Sequence, residues 1–273
     1  MTTVDSLTTP LGAARARGLE RELAVAMDAA ARAAALQVER YERLERIVHK
    51  SARDILTEVD TLSEELIIST IGEAFPDDAF LAEESGQSRP GTGRTWVIDP
   101  LDGTVNYANG IPIFCTSICL VIDGRPSVAA LTDPARDDRY TAVAGGGAFL
   151  NDRPIAMPVK EAMSDLVCHI SLPPYGFARR EWRIRKLIRV ARETGSAALG
   201  LAYVGNGRFD AFIQPRGLWL WDIAAAGLIA EEGGARVTDG TGGPWFVESA
   251  ENRSRGIIAA LPTHHATILE LLR

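Results

Sequence analysis

What the chain has little of narrows its chemistry first. Cysteine occurs three times in 273 residues, at Cys115, Cys119 and Cys168. All three stand in apolar company without a CxxC pair or a His/Cys cluster, so reduced core thiols are expected rather than a disulfide or a zinc site. Long apolar runs are missing as well. Stretches such as 223–230 fall far short of the roughly 20 residues that a membrane helix needs. The N-terminal region mixes Arg15, Arg17, Arg21 and Arg32 with Glu20, Glu22 and Asp28 and has no compact apolar region of a secretory signal. A soluble, cytoplasmic protein without membrane association is the expectation. Basic excess is also absent: a formal net charge of −7 argues against nucleic-acid binding and would repel a phosphate unless cations reversed the sign locally.

What is there is a globular composition. Hydrophobic residues at 46% against 24% charged make disorder improbable, and the length suits one large domain or two smaller ones sharing a core. The stretch 96–107, WVIDPLDGTVNY, organises the rest. Trp96-Val97-Ile98 reads as the end of a buried strand that delivers Asp99 into a turn where Pro100 fixes φ. Asp99 and Asp102 then leave one rigid corner. Gly103 removes side-chain bulk so that backbone N–H groups can approach an anion, and residues 104–107 could begin a short helix whose N-terminus favours phosphate. Carboxylates beside an anion site make sense with cations between them, which is the logic of metal-assisted phosphoryl hydrolysis. Taken alone, an Asp-x-x-Asp-Gly segment is an ordinary turn.

Along the chain, residues 13–38 carry apolar positions at helical spacing and read as one amphipathic helix. The segment VERYERLERIVHK fits either a helix extension or a strand. DILTEVD leads into a helix with Val59, Leu62, Leu66, Ile67, Ile71 and Phe75 on its inner side, ended by Pro76, and Asp60 near its start is a natural capping carboxylate. Residues 80–82 form a short strand running into Glu83-Glu84-Ser85-Gly86, followed by a Pro/Gly-rich loop. Residues 111–122 and 126–132 read as strands joined by an Asp123-Gly124 hairpin turn, with another strand over 140–144. Gly145-Gly146-Gly147 lacks the Gly-Lys-Ser/Thr ending of a phosphate loop and reads as a connection between strands. Beyond Asn151 follow a strand over 166–171, a basic helix over 181–193 with a solvated arginine face, a helix opened by Gly195-Ser196-Ala197-Ala198, and a strand over 209–214. Asp222 stands at the start of an Ala-rich helix stopped by Gly233-Gly234. A strand over 256–260 and a helix over 264–272 close the chain.

DPLDGTVNY, the upstream Glu83-Glu84 pair and the Trp221-Asp222 helix occur in one order, and together they resemble the signatures of the inositol monophosphatase family. That family lies within the metal-dependent, lithium-sensitive phosphatases that include fructose-1,6-bisphosphatase. The resemblance runs from the first helix to the last and favours a strand pair for VERYERLERIVHK. It implies an α+β class, layered αβαβα fold with an N-terminal α+β half, residues 1–150, and a C-terminal α/β half, residues 151–273. The halves would share one cleft rather than act as independent domains. Metal ligands carried over are Glu83, Asp99 and the Leu101 carbonyl for one ion, and Asp99, Asp102 and Asp222 for a second. Oxygen-only ligands suit Mg²⁺, with two or three ions per site and Mn²⁺ as a substitute. The resemblance also assigns water activation to Glu83 and Thr104 with Asp60, phosphate binding to Gly103 and Thr104, and substrate contacts to Gly195, Ser196 and Ala197. Glu84 would stand behind Glu83.

The implied activity is hydrolysis of a small phosphorylated metabolite, first of all inositol 1-phosphate, by a homodimer inhibited by lithium. One departure concerns the substrate. The family places a Glu shortly before GxxxWD, whereas this chain has Gln214-Pro215-Arg216-Gly217; Gln214 could replace that hydrogen bond and Arg216 could meet a second anionic group. Histidinol phosphate, fructose 1,6-bisphosphate and a nucleotide 3′-phosphate are the alternative substrates. Some family members act by binding transcription or ribosome machinery, which is the alternative of a different class.

Overall fold

The computed structural model describes residues 8–44, 47–49, 55–88, 93–171, 178–248 and 251–273. Its first half comprises α1 (Pro10–Ala16), α2 (Glu20–Arg40), β1 (Ile47–His49), β2 (Ile55–Thr57), α3 (Glu58–Ala74), β3 (Ala79–Ala82), β4 (Gly86–Gln87), β5 (Arg94–Asp102), α4 (Thr104–Ala108), β6 (Cys115–Ile122), β7 (Arg125–Asp133), β8 (Asp138–Val143) and β9 (Gly147–Leu150). Then come β10 (Arg153–Ile155), β11 (Val167–Ile170), α5 (Ala178–Arg185), β12 (Val190–Arg192), α6 (Ala197–Gly205), β13 (Ala211–Gln214), α7 (Leu220–Glu232), β14 (Arg236–Thr238), β15 (Ile257–Ala260) and α8 (Pro262–Leu271).

Alternation along the strands builds five layers. The eight-stranded sheet has the order β10-β9-β8-β7-β6-β5-β3-β4 and is antiparallel except where β3 runs parallel to β5. Successive side chains of a strand point to opposite faces. Trp96 and Ile98 therefore pack under α2 and α3 with Leu23, Ala26, Ile67 and Ile71, while Val97 faces α6 and α7 on the other side. The five-stranded sheet, order β12-β11-β13-β15-β14, lies beyond those two helices: Phe212, Ile257 and Ala259 share their core. Its far face, with Cys168, Ile170 and Ile213, packs on Ile184, Ile268 and Leu272 from the α5 and α8 side. The arrangement is the layered αβαβα fold of the α+β class. All three cysteines are buried and free.

Local chemistry explains where the elements depart from the sequence reading. The expected single helix over 13–38 is two, because Gly18 adopts φ +72° and ends α1 in a Schellman turn, with Gly18 N–H on the Arg15 carbonyl at 3.1 Å and Leu19 N–H on that of Ala14 at 2.9 Å. In α3 the buried stripe is Val59, Ser63, Ile67 and Ile71, and Leu62 is exposed; the inner face near the helix start is given instead to Asp60 and Glu64, both buried. The expected helix over 181–193 stops at Arg185, and Val190–Arg192 adds an edge strand parallel to β11, its backbone drawn in by Arg189 N–H on the Leu166 carbonyl at 3.0 Å. β6 begins at Cys115 rather than at 111. The hairpin at Asp123-Gly124 has φ of 49° and 74°, the signs a two-residue I′ turn requires. Ile47–His49 pairs antiparallel with Ile55–Thr57. Residues 1–7, 45–46, 50–54 and 172–177, with parts of the loop after Gln87, lie outside the described residues.

Gly145-Gly146-Gly147 joins β8 to β9, and the anion it holds is the protein's own. The Glu232 carboxylate accepts Gly145 N–H at 2.6 Å and Gly147 N–H at 2.8 Å.

Candidate active site

The corner at the end of β5 is built from both sides. A register shift in the β5–β6 ladder falls between Asp99 and Asp102. The Pro100 carbonyl, freed from that ladder, accepts Gln37 Nε2 at 2.8 Å and Thr116 Oγ1 at 3.2 Å. Asp99 Oδ1 accepts Leu101 N–H at 3.1 Å, an Asx turn of the kind that short acids favour. Gly103 has φ +93°, and a Cβ there would lie 2.8 Å from the Ile113 carbonyl oxygen; the turn therefore needs glycine both for its backbone and for its space. Beneath it, the rings of Tyr41, Tyr107 and Phe114 form a cluster with centroids 4.8–5.4 Å apart.

Asp60 performs two tasks with two oxygens. Oδ2 accepts Thr57 N–H at 2.8 Å, closing a capping box at the start of α3. Oδ1 is the nearer acceptor for the Thr104 hydroxyl, at 2.8 Å, with the Leu101 carbonyl oxygen at 3.0 Å. The Thr104 oxygen thereby keeps its lone pairs for a further donor.

Glu83 follows β3 directly. The turn that carries it is pinned by Glu64, whose carboxylate accepts Glu84 N–H and Ser85 N–H, each at 2.8 Å. Asp222 is the third residue of α7 and accepts Trp219 N–H at 2.7 Å. The small residues behind it, Ala224 to Gly227, are buried, so α7 approaches the first sheet closely. Asp102 receives the start of α6: Ala198 N–H at 2.8 Å, Ala197 N–H at 3.3 Å and the Ser196 hydroxyl.

Glu83, Asp99, Asp102 and Asp222, with Leu101, Gly103, Thr104, Val105 and Gly195, line one cavity of about 180 Å³. Among the described residues, its lining contains no lysine or arginine. Asp99, 1% exposed, is held well above the usual carboxylate range by burial first and then by repulsion from Glu83, Asp102 and Asp222. Asp222 is likewise raised well above that range, by burial and by Asp102. For Asp102 burial also raises the pKa, opposed by the donors at the start of α6. Among the described residues no three Asp, Glu, His or Cys side chains form a ready-made coordination group; Asp102 and Asp222 each accept backbone N–H groups at a helix start. The donor set nonetheless fits a hard divalent cation: carboxylates and a carbonyl, oxygen throughout and mutually repelling, with Asp99 buried, Glu83, Asp102 and Asp222 half-buried, and the Arg253 charge opposing the repulsion at Asp222.

A second cavity of about 200 Å³ meets the first at Asp102 and Gly195 and is lined by His169, Ser171, Glu193, Ser196, Ala197 and Gln214. Of the expected substrate contacts, Gly195 borders both cavities, while the Ser196 hydroxyl and the Ala197 N–H are engaged by Asp102. Gln214 lines this cavity; Arg216 does not, and lines another of about 430 Å³ with Arg180 and Arg255. Sequence reasoning missed Gln37, Glu64 and Asn106. Asn106 Nδ2 bridges the Ile113 and Thr194 carbonyls at 2.8 and 2.9 Å and so ties the corner to the segment before α6. The one available signal for Gln37 and Glu64 was a polar residue on an otherwise apolar helix face.

The model of the inositol monophosphatase family matches residues 19–273. The inositol-1-monophosphatase of Rhizobium meliloti is 40% identical over 202 residues, covering 71% of this chain and 75% of that protein. The Nus factor SuhB of Xylella fastidiosa is 38% identical over 200 residues, covering 71% and 72%. Among solved structures, the extragenic suppressor protein suhB of Bartonella henselae superposes with a TM-score of 0.84 at 30% identity, over 91% of this chain and 97% of that one. From its acid-lined corner to its last helix, the chain belongs to the inositol monophosphatase family.

Proposed function

We propose that the protein is a Mg²⁺-dependent phosphate monoester hydrolase that cleaves inositol 1-phosphate to myo-inositol and phosphate. The observation that carries this reading is the convergence of Glu83, Asp99, Asp102 and Asp222 on a cavity that no basic side chain lines among the described residues, beside a Thr104 hydroxyl 2.8 Å from Asp60 Oδ1. Glu83, Asp99 and the Leu101 carbonyl would hold one ion; Asp99, Asp102 and Asp222 would hold the second, in a site of two or three ions that also accepts Mn²⁺. Bound there, magnesium supplies charge neutralisation for the phosphate and acidifies water near neutral pH. Thr104, oriented by Asp60, accepts a hydrogen bond from the attacking water, with Glu83 as its neighbour and proton acceptor. Backbone N–H groups of Gly103 and Thr104 hold phosphate oxygens, and the side facing Gly195, Ser196 and Ala197 receives the leaving group. In this reading the site lies between halves 1–150 and 151–273 of a cytoplasmic, lithium-sensitive homodimer.

Family membership supports phosphatase activity, and relatives named inositol monophosphatase support the substrate class. Relatives named Nus factor SuhB support a second reading, contact with transcription machinery. The intact acid cluster favours the enzyme. Among the described residues, no helix is long and apolar enough to cross a membrane.

Phosphate release from inositol 1-phosphate, fructose 1,6-bisphosphate, histidinol phosphate and adenosine 3′,5′-bisphosphate, with Mg²⁺ and with chelator, tests the proposal. Magnesium-dependent release that is fastest with inositol 1-phosphate is expected. Release that survives chelation would remove the metal assignment, and preference for another ester would replace the substrate.

A further inference from the structure

The two cavities differ in chemistry. The first is built for cations and phosphate in the reading above; the second, about 200 Å³, is below the ~300 Å³ of pockets for drug-sized ligands and so suits a small leaving group. Among the described residues, its charged lining residues are Asp102 and Glu193, both acids. Asp102 is already engaged by Ser196 and by the N–H groups of α6. Glu193 is exposed to solvent.

We propose that Glu193 is the residue that selects the leaving group, holding a donor-rich polyol through its hydroxyls and rejecting a second anionic group. The inference rests on the phosphatase reading of the adjoining cavity. Its footing is topological. β12, β11 and β13 are parallel neighbours, so their C-terminal ends open on one side, the side on which sheets of this kind bind ligands. Glu193 follows β12, Ser171 follows β11 and Gln214 ends β13, and all three reach the same cavity. The Ser171 hydroxyl donates to Glu193 Oε1 at 2.7 Å, which orients the carboxylate and leaves most of its roughly four acceptor sites for a ligand.

The remaining walls reinforce the preference for hydrogen-bond donors. His169, 2% exposed, takes Thr194 N–H on Nε2 at 3.2 Å, so the ring is an uncharged wall rather than an anion clamp. Arg180, Arg216 and Arg255 line a different cavity, and Arg192, which ends β12, is outside this one's lining and donates to the Ala191 carbonyl at 3.1 Å. A leaving group bearing a second phosphate would thus meet carboxylate where it needs guanidinium. The acid that the family resemblance expects just before GxxxWD is absent from Gln214-Pro215-Arg216, and Glu193 delivers a carboxylate to the same cavity from a different strand end.

The test is steady-state hydrolysis of myo-inositol 1-phosphate, p-nitrophenyl phosphate and fructose 1,6-bisphosphate by the Mg²⁺-loaded wild type, Glu193→Gln and Ser171→Ala. In Glu193→Gln the ratio of kcat/KM for inositol 1-phosphate over nitrophenyl phosphate should fall about tenfold, through KM, as expected for losing one hydrogen bond to a charged group. The same variant should improve kcat/KM for fructose 1,6-bisphosphate, and Ser171→Ala should lower the inositol ratio by less. An unchanged ratio, or an equal loss on all three esters, overturns the role of Glu193 while leaving the phosphatase reading standing. If the wild type hydrolyses none of them, that reading falls, and calorimetric titration with myo-inositol 1-phosphate decides the inference alone. Tenfold weaker binding by Glu193→Gln then supports it; equal binding, or none by the wild type, overturns it.

Discussion

The Ala198 amide donates to Asp102 Oδ2 at 2.8 Å, so the first turn of α6 ends on the corner at the end of β5. Residues nearly a hundred positions apart thereby share one hydrogen-bonded junction, and Ser196 closes it, donating to Asp102 and accepting Leu199 N–H at 3.3 Å. The helix start and the acid position each other: the dipole and free N–H groups of α6 favour a carboxylate, and Asp102 is fixed by them.

Ser196→Ala should therefore cost about 1–2 kcal/mol, the usual worth of an N-cap hydroxyl, and should also lower kcat because Asp102 loses a donor that orients it. Ser196→Thr, which keeps the hydroxyl, should restore most of both. Urea unfolding and phosphate release on the three proteins check this; a loss of stability with unaltered turnover would confine Ser196 to the helix.

At a pH high enough to ionise Asp99 despite its raised pKa, Asp99→Asn removes one charge from among neighbouring carboxylates of like charge. In chelator the variant should melt higher than the wild type by ~2–4 °C, about 1 kcal/mol at this chain length, while its turnover is abolished. Thermal scans with EDTA and with Mg²⁺ separate the effects, since Mg²⁺ should stabilise the wild type far more than the variant.

How far the site could be read from sequence follows from how local each of its parts is. The corner 99–103 was legible because Pro100 and Gly103 fix its backbone within a few residues. Asp60 looked like a helix cap and is one; its second oxygen, on Thr104, depends on a contact 44 positions away. Gln37, Glu64 and Asn106 were hidden because each acts on a backbone group remote in sequence; a polar residue on an apolar helix face marks the position of Gln37 or Glu64 and not its partner. Individual helices and strands were legible from periodicity and the layered fold from the family resemblance, but the break at Gly18 and the edge strand 190–192 were not: a helical pattern continues across the first, and a neighbouring strand supplies the second. The roles of Glu83, Asp99, Leu101, Asp102 and Asp222 as ligands stand as proposals for metal titration to decide.

Cation binding should release protons. Asp99 and Asp222 are both held well above the usual carboxylate range by burial and mutual repulsion, and a bound divalent ion requires their ionised forms. Mg²⁺ affinity should therefore strengthen as pH rises through these raised values, and calorimetric heats at one pH should vary with the ionisation enthalpy of the buffer. Heats independent of the buffer would mean that the cluster is already ionised before the ion arrives.

Gly103→Ala tests the corner without altering a charge. At φ +93°, with the Ile113 carbonyl oxygen 2.8 Å from the new Cβ, the turn must either distort or displace residues before β6. A loss of about 1–3 kcal/mol is expected from the strained backbone alone, together with a rise in KM as the N–H groups proposed to hold phosphate shift. Retention of wild-type stability and KM would show that the corner tolerates a side chain.

His169 carries a pH dependence whose sign can be derived. Burial holds its pKa down at about 4, against 6.5 for the free side chain, so between those values the unfolded chain binds a proton that the folded one refuses. Above pH 6.5 both states are neutral and the histidine has no linkage cost; as pH falls from 6.5 toward 4, stability is lost progressively, to a limit on the order of 3 kcal/mol. Protonation of Asp99 and Asp222 acts in the opposite direction in the absence of metal, because their folded pKa values are raised, and it is common to wild type and variant. Histidine replaced by glutamine, His169→Gln, keeps an acceptor for Thr194 N–H but cannot titrate. The difference in unfolding free energy, wild type minus variant, should therefore be flat above pH 6.5 and should decline below it as the wild type loses stability. A difference that stays level from pH 7 to pH 4.5 would show that the folded protein protonates His169 as readily as the unfolded chain does.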